Sequence, residues 1–149
     1  MGRYRSGDRG GGFVVAWYNS VQTGIAGTAD RAAALAVLGE ITGDMGDYAE
    51  TGTILAQAVP LARASGDRLT LCRALFVLGA NYWRQGKRED AKVVLNESLA
   101  LARILGNLTR ELSALNALGM VALQQDRVEA ERLFTEVHAR AVAAGNRST

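Results

Sequence analysis

The chain is poor in the residues that staple, hinge or catalyse: its 149 residues include one cysteine, one proline and one histidine. A single cysteine, Cys72, leaves no internal disulfide framework and suits a reducing compartment. It sits among Leu71, Leu75 and Phe76 at helical spacing, where a cysteine reads as a small buried hydrophobe rather than a reactive thiol. A lone histidine, His138, with that cysteine far away in sequence, cannot build a metal site. Carboxylates such as Glu40, Asp44, Glu89 and Asp90 fall on polar helix faces or at helix starts, where they favour the positive end of the helix dipole. Nothing pairs them for acid–base work, and Gly10-Gly11-Gly12 follows no strand that would make it a phosphate loop. No catalytic residue, metal or cofactor is expected, and the chain reads as a non-enzyme.

An excess of one charge is also missing. Seventeen Lys and Arg face fifteen Asp and Glu, a net charge of +2, and the two signs are interleaved. Beyond Lys87-Arg88 there is no basic stripe to follow a nucleic-acid backbone. No apolar run approaches the roughly 18 residues of a spanning helix. Arg3, Arg5 and Arg9 do precede Phe13-Val14-Val15-Ala16-Trp17, but Asn19, Ser20 and Gln22 end that run too early for a signal peptide. The expectation is a cytoplasmic protein with no direct contact to nucleic acid or membrane. The two-residue alternation of a strand is absent as well.

What is present is a repeat. Leu75, Leu78 and Gly79 have counterparts 40 residues upstream, Leu35, Leu38 and Gly39, and 40 downstream, Leu115, Leu118 and Gly119. A fixed period of this length marks stacked helical units. Residues 1–12, rich in glycine, read as a disordered lead-in. In residues 13–26, Phe13, Val14, Trp17, Val21 and Ile25 fall at spacings of three and four, which predicts the second helix of an incomplete repeat. Full repeats then cover 29–67, 68–107 and 108–146, each a helix A followed by a helix B. Gly66-Asp67, Gly106-Asn107 and Gly145-Asn146 mark their ends, since glycine supplies the left-handed residue that closes a helix. Asp47-x-x-Glu50 and Asp126-x-x-Glu129 have the spacing of a capping box and predict where two B helices start. The third repeat is one residue shorter in its middle turn. Pro60 falls inside the first B helix and predicts a kink there. The fold class is all-α: a single domain of about seven helices in antiparallel pairs stacked side by side.

The framework resembles the tetratricopeptide repeat. In the second repeat it comprises Leu75, Leu78, Gly79, Tyr82 and Ala91, with Leu95 and Ser98 completing the helix-B face. The first repeat has Leu35, Leu38 and Gly39, but Thr42 and Thr51 replace the aromatic and the alanine. The third has Leu115, Leu118, Gly119, Ala122, Ala130, Phe134 and Val137. Small residues serve close approach, because helices crossing within about 8–10 Å leave no room for a long side chain. The resemblance implies a right-handed superhelical solenoid whose A helices line a concave face. The 40-residue period and the ending Leu-Ala-Arg-x-x-Gly-[Asp/Asn] resemble arrays in large bacterial signal-responsive regulators, whose ATPase and DNA-binding modules are not seen in this sequence.

The resemblance also implies which side chains look inward. These are Arg73, Phe76, Ala80, Trp83 and Arg84 from the second repeat, and Ser113, Asn116, Met120, Leu123 and Gln124 from the third. Ala33, Ala36, Glu40 and Asp44 come from the first. Phe76, Trp83, Met120 and Leu123 either make an apolar groove rimmed by Arg73 and Arg84, or Phe76 and Trp83 pack between adjacent repeats. The groove would take a protein or peptide partner, aromatic and arginine anchors being typical of such surfaces. The alternative is a structural unit that forms homo-oligomers through its terminal helices, where Leu133, Phe134, Val137 and Ala141 would otherwise meet water. The paired asparagine and lysine of chain-terminus-binding relatives are not matched.

Overall fold

The computed structural model describes residues 27–147. The lead-in expected over 1–12 and the helix expected over 13–26 lie outside the described residues. Six helices follow one another: α1 (Thr28–Asp44), α2 (Tyr48–Ser65), α3 (Arg68–Arg84), α4 (Arg88–Ile104), α5 (Leu108–Ala122) and α6 (Arg127–Arg147). No strand occurs among the described residues. Each helix packs on the next, giving three pairs, α1–α2, α3–α4 and α5–α6, that stack in chain order.

The connections explain the period. Gly46 and Gly86 close the A helices of the first two pairs, and Gly66 and Gly106 close the B helices. All four are left-handed, with φ between 63° and 84°. Residues with a Cβ avoid that region, so the glycines fix where each helix stops. The residue after Gly66 and Gly106 starts the following helix. Asp67 accepts from the Thr70 amide at 3.1 Å and Asn107 from the Arg110 amide at 3.1 Å. The Gly-Asp and Gly-Asn pairs therefore end one helix and cap the next, a second role that their reading as terminators missed. Asp47 and Asp126 cap α2 and α6 through the Glu50 and Glu129 amides, as their spacing predicts. The third A–B turn has lost one residue and has no left-handed position; Asp126 starts α6 directly. Gly145 does not end a helix, since α6 continues through it to Arg147. No further helix packs back on it among the described residues, so nothing there draws the chain into a left-handed turn. α2 likewise runs through Pro60 without interruption, with the proline on its exposed side.

Each pair is held at one close crossing. A methyl group placed on Gly39 would lie 2.9 Å from Leu55 Cδ2. On Gly79 it would lie 2.5 Å from Leu95 Cγ, and on Gly119 2.6 Å from Phe134 Cε1. The B-helix side chain thus fills the space a Cβ would need. Below each crossing lie the framework leucines Leu35, Leu75 and Leu115, all but inaccessible to solvent. Leu38 and Leu118 are buried, while Leu78 is half-buried. Ala91 and Ala130 have no exposure; in the first pair Thr51 takes their place, and Thr42 takes that of Tyr82 and Ala122. These two hydroxyls meet at 2.9 Å, and Thr51 Oγ1 donates to the Asp47 carbonyl at 2.7 Å. A hydrogen-bonded pair replaces an apolar contact without leaving a hydroxyl unmet.

Replacing Gly79 by alanine tests the crossing. Helix propensity alone would favour alanine by about 1 kcal/mol. Overpacking against Leu95 costs about 1–3 kcal/mol and outweighs it, so denaturant unfolding of Gly79→Ala should show a net loss of up to about 2 kcal/mol. A Gly79→Ala/Leu95→Ala double variant should lose less than the sum of its single changes. Additive losses would mean that the two positions do not share the space.

Candidate interaction surface

The two kinds of helix are not equivalent in the stack. α1 touches α3 and α3 touches α5, whereas α2, α4 and α6 do not approach one another at the backbone. The A-helix side is therefore the narrow, inner side and the B-helix side is the spread, outer one.

On the inner side, the first two pairs are stitched by polar contacts. Arg73 donates from Nε and Nη2 to Glu40 Oε2 at 2.9 and 2.6 Å. Arg84 Nη1 donates to the Gly43 carbonyl at 3.3 Å, and its guanidinium lies 5.8 Å from the Tyr48 ring centroid. Phe76, Ala80 and Arg84 come together with Glu40 and Asp44 around a small cleft of about 90 Å³. Both arginines foreseen as a rim are thus engaged with α1. Ala36, foreseen as facing the groove, is instead fully buried, because it belongs to the core cluster that α1, α2 and α3 share. Phe76 packs against the cores on both sides of it and Trp83 against that of the last two pairs; both are half-buried. Ala80 is half-buried and Asn116 exposed. Met120 is 37% exposed and Leu123 48%. Gln124 accepts a hydrogen bond from Arg88. The inner face therefore has a polar half over α1–α3 and a half over α5 with two open apolar side chains.

On the outer side, charge crosses the gap that the backbones leave. Arg63 of α2 makes a two-pronged bond to Glu97 of α4, at 2.5 and 2.8 Å. Arg103 of α4 repeats it one unit later, reaching Glu136 of α6 at 2.7 Å. The repeated Leu-Ala-Arg ending was visible in the sequence, but its partner, 33 or 34 residues on, was not. A carboxylate with no counterpart in the other repeats joins this edge. Glu111, at the position of Leu71, is only 5% exposed. Arg140 holds it with two bonds, at 3.1 and 2.8 Å, and Arg103 with one at 3.3 Å. The Arg140 bond is the main cause that keeps its carboxyl below the ordinary glutamate range; burial opposes the effect and Arg103 adds to it. One buried carboxylate therefore joins α4, α5 and the C-terminal half of α6.

The end of the stack differs from the expectation. Leu133 is buried and Phe134 is turned onto Gly119 of its own pair, so these two belong to the core, whereas Val137 is half-buried and Ala141 exposed as expected. His138 takes the register of Val59 and Leu99 yet is exposed, because nothing packs on that side of α6 among the described residues. Cys72 is buried, with Sγ 3.3 Å from the Ser98 carbonyl.

Three helix pairs closed by a glycine crossing agree with the comparison to known families. The tetratricopeptide repeat family matches residues 30–104. The chain belongs to the tetratricopeptide repeat family. The match spans α1 to α4, and α5–α6 repeats their geometry through Gly119 and Phe134. Tetratricopeptide repeats in general mediate protein–protein interaction and are typically not catalysts. No curated protein matches the chain. No helix among the described residues is long and apolar enough to cross a membrane.

The Glu111 junction yields a pH dependence with a definite sign. Its carboxyl is depressed in the folded state, so its contribution is complete above the unfolded glutamate value of about 4.3 and is lost as pH falls through the lower folded value. Glu111→Gln should cost about 1–3 kcal/mol at pH 7, since it leaves two arginines short of their partner. Its stability should also fall less steeply than that of the parent between about pH 5 and 3. Urea melts of both proteins across that range are the check; parallel curves would remove Glu111 from the account.

Proposed function

We propose that the chain is a protein-interaction module that takes a peptide or helix on its inner, A-helix face. The observation that carries this reading is the asymmetry of that face. Arg73 and Arg84 are committed to α1, whereas Met120 and Leu123 of the last pair stay open and Phe76 and Trp83 are half-buried. Open apolar side chains on the same face as arginines already held in place offer a partner desolvation, with little entropy left to lose at those arginines. The repeat length and the Leu-Ala-Arg-x-x-Gly-[Asp/Asn] ending favour a setting as the sensing or scaffold part of a larger bacterial transcriptional regulator, working in the cytoplasm.

Substitution separates this reading from association through the ends of the stack. The immobilised chain first captures its partner, which is then titrated against variants in solution. Met120→Asp/Leu123→Asp should weaken binding at least tenfold, about 1.4 kcal/mol, as loss of a central anchor does. His138→Asp/Val142→Asp, on the outer side of α6, should leave it unchanged. The opposite pattern would move the working surface to the end of the stack.

A further inference from the structure

A cleft of about 580 Å³ opens between α2 and the C-terminal end of α3. Its size is that of a small-molecule pocket. α2 contributes Tyr48, Ala49, Gly52 and Ala56 to the lining, α3 contributes Asn81 and Tyr82, and Lys87 comes from the turn that follows. The other repeats show what the framework alone places here. Forty residues on, Gly52 and Ala56 become Lys92 and Asn96, and Asn81 becomes Val121; forty residues back, Asn81 becomes Ile41. Gly52 is not one of the left-handed glycines, and a Cβ on it would meet only Asn81 Nδ2, at an ordinary 3.6 Å. Neither the backbone nor the packing asks for a glycine there, and a glycine inside a helix is unfavourable. Asn81 is 2% exposed. Its Nδ2 donates to the Tyr48 carbonyl at 3.2 Å, which sets the amide and leaves Oδ1 buried with no hydrogen-bond partner. A buried acceptor left unmet is unfavourable too. Two residues that weaken the empty fold thus border one cleft.

We propose that this cleft binds a small planar aromatic carboxylate that carries a ring N–H. The ring takes the space that Gly52 and Ala56 leave beside Tyr48 and Tyr82, flat rings packing well on aromatic side chains. Its N–H donates to Asn81 Oδ1, which a small swing of the amide into the room at Gly52 brings within reach. Its carboxylate goes to Lys87, the one charged side chain among the described residues that line the cleft. Lys87 Nζ stands 5.8 Å from the centroid of the Tyr82 ring, so cation and ring platform lie together. The cleft in the same register one repeat on is built differently. Lys92 and Asn96 fill its wall, Ala122 replaces Tyr82, and Glu129 and Glu136 on its rim would repel an anion. The inference is independent of the inner-face reading, because Phe76, Trp83, Met120 and Leu123 take no part in it.

Titration calorimetry of the full chain with indole-3-acetate tests it. Saturable one-to-one binding is expected. Gly52→Lys puts there the residue of the next repeat and should weaken binding at least about tenfold, with helical circular dichroism retained. Methylating the indole nitrogen should weaken binding severalfold in the parent and leave it unchanged in Asn81→Val, which carries the residue of the third repeat. Neutral indole should bind severalfold more weakly than the acid, and Lys87→Gln should erase that difference. Absence of saturable binding, or binding that Gly52→Lys leaves intact, would overturn the proposal. So would a methylation penalty that persists in Asn81→Val. Amide chemical shifts give a second readout that needs no variant. Changes on adding indole-3-acetate should centre on residues 48–56 and 81–87. Changes centred on α5 would place the probe on the inner face and equally overturn it.

Discussion

Three glycines set against three large side chains hold this molecule together. Gly39, Gly79 and Gly119 let the B helix of each pair approach until Leu55, Leu95 or Phe134 occupies the place of a Cβ. Everything else follows from that distance. The framework leucines are sealed only because the helices are that close, and the repeat length is the amount of chain needed to leave one crossing and arrive at the next. The third unit shows how far the rule bends. It has a phenylalanine for a leucine and a turn one residue shorter, yet the ring reaches its glycine from a helix that starts one position earlier. What is conserved between units is the filled volume, not the residue that fills it.

Between units the forces are of a different kind. On the A side, backbones touch and small clusters of apolar side chains run through from one pair to the next. On the B side they do not touch, and the gap is crossed by Arg63–Glu97 and Arg103–Glu136. Exposed pairs of this sort add little to stability one by one. Glu111 is the exception, because its carboxylate is buried and owes its charge to two arginines. It stands where the preceding repeat has a leucine, and it ties down a last helix that has no later neighbour among the described residues.

The sequence carried the pairs, their order and their turns, since these depend on residues close together or at a constant offset. Gly79, Leu95 and Tyr82 announce themselves by position, and Gly66 announces a helix end by chemistry. Side-chain partners across the stack were less legible. Arg63 reads as part of an ending motif until Glu97 is seen opposite, and nothing local marks Glu111 as buried. Ala36 was misplaced because inward and inter-helix positions on α1 differ by a fraction of a turn, and an alanine gives no sign of which it serves. Phe134 was placed on the framework and also counted among bare end residues; only its contact with Gly119 shows that the first role excludes the second. Phe76 and Trp83 remain amphibious, packed on one edge and open on another, and periodicity alone cannot weigh the two.

The unequal spacing of the two helix sets has a mechanical meaning. A stack whose backbones meet along one edge and are bridged only by side chains along the other is a fan with its pivot at the A helices. Closing the outer edge widens the inner one, and the reverse. At 2.5–2.8 Å the tethers lie well inside the Debye length of about 8 Å at physiological ionic strength, so only salt far above that level loosens them. Strong salt therefore loosens the outer edge and, through Arg73–Glu40, part of the inner one, while the glycine crossings inside each pair hold no charge to screen.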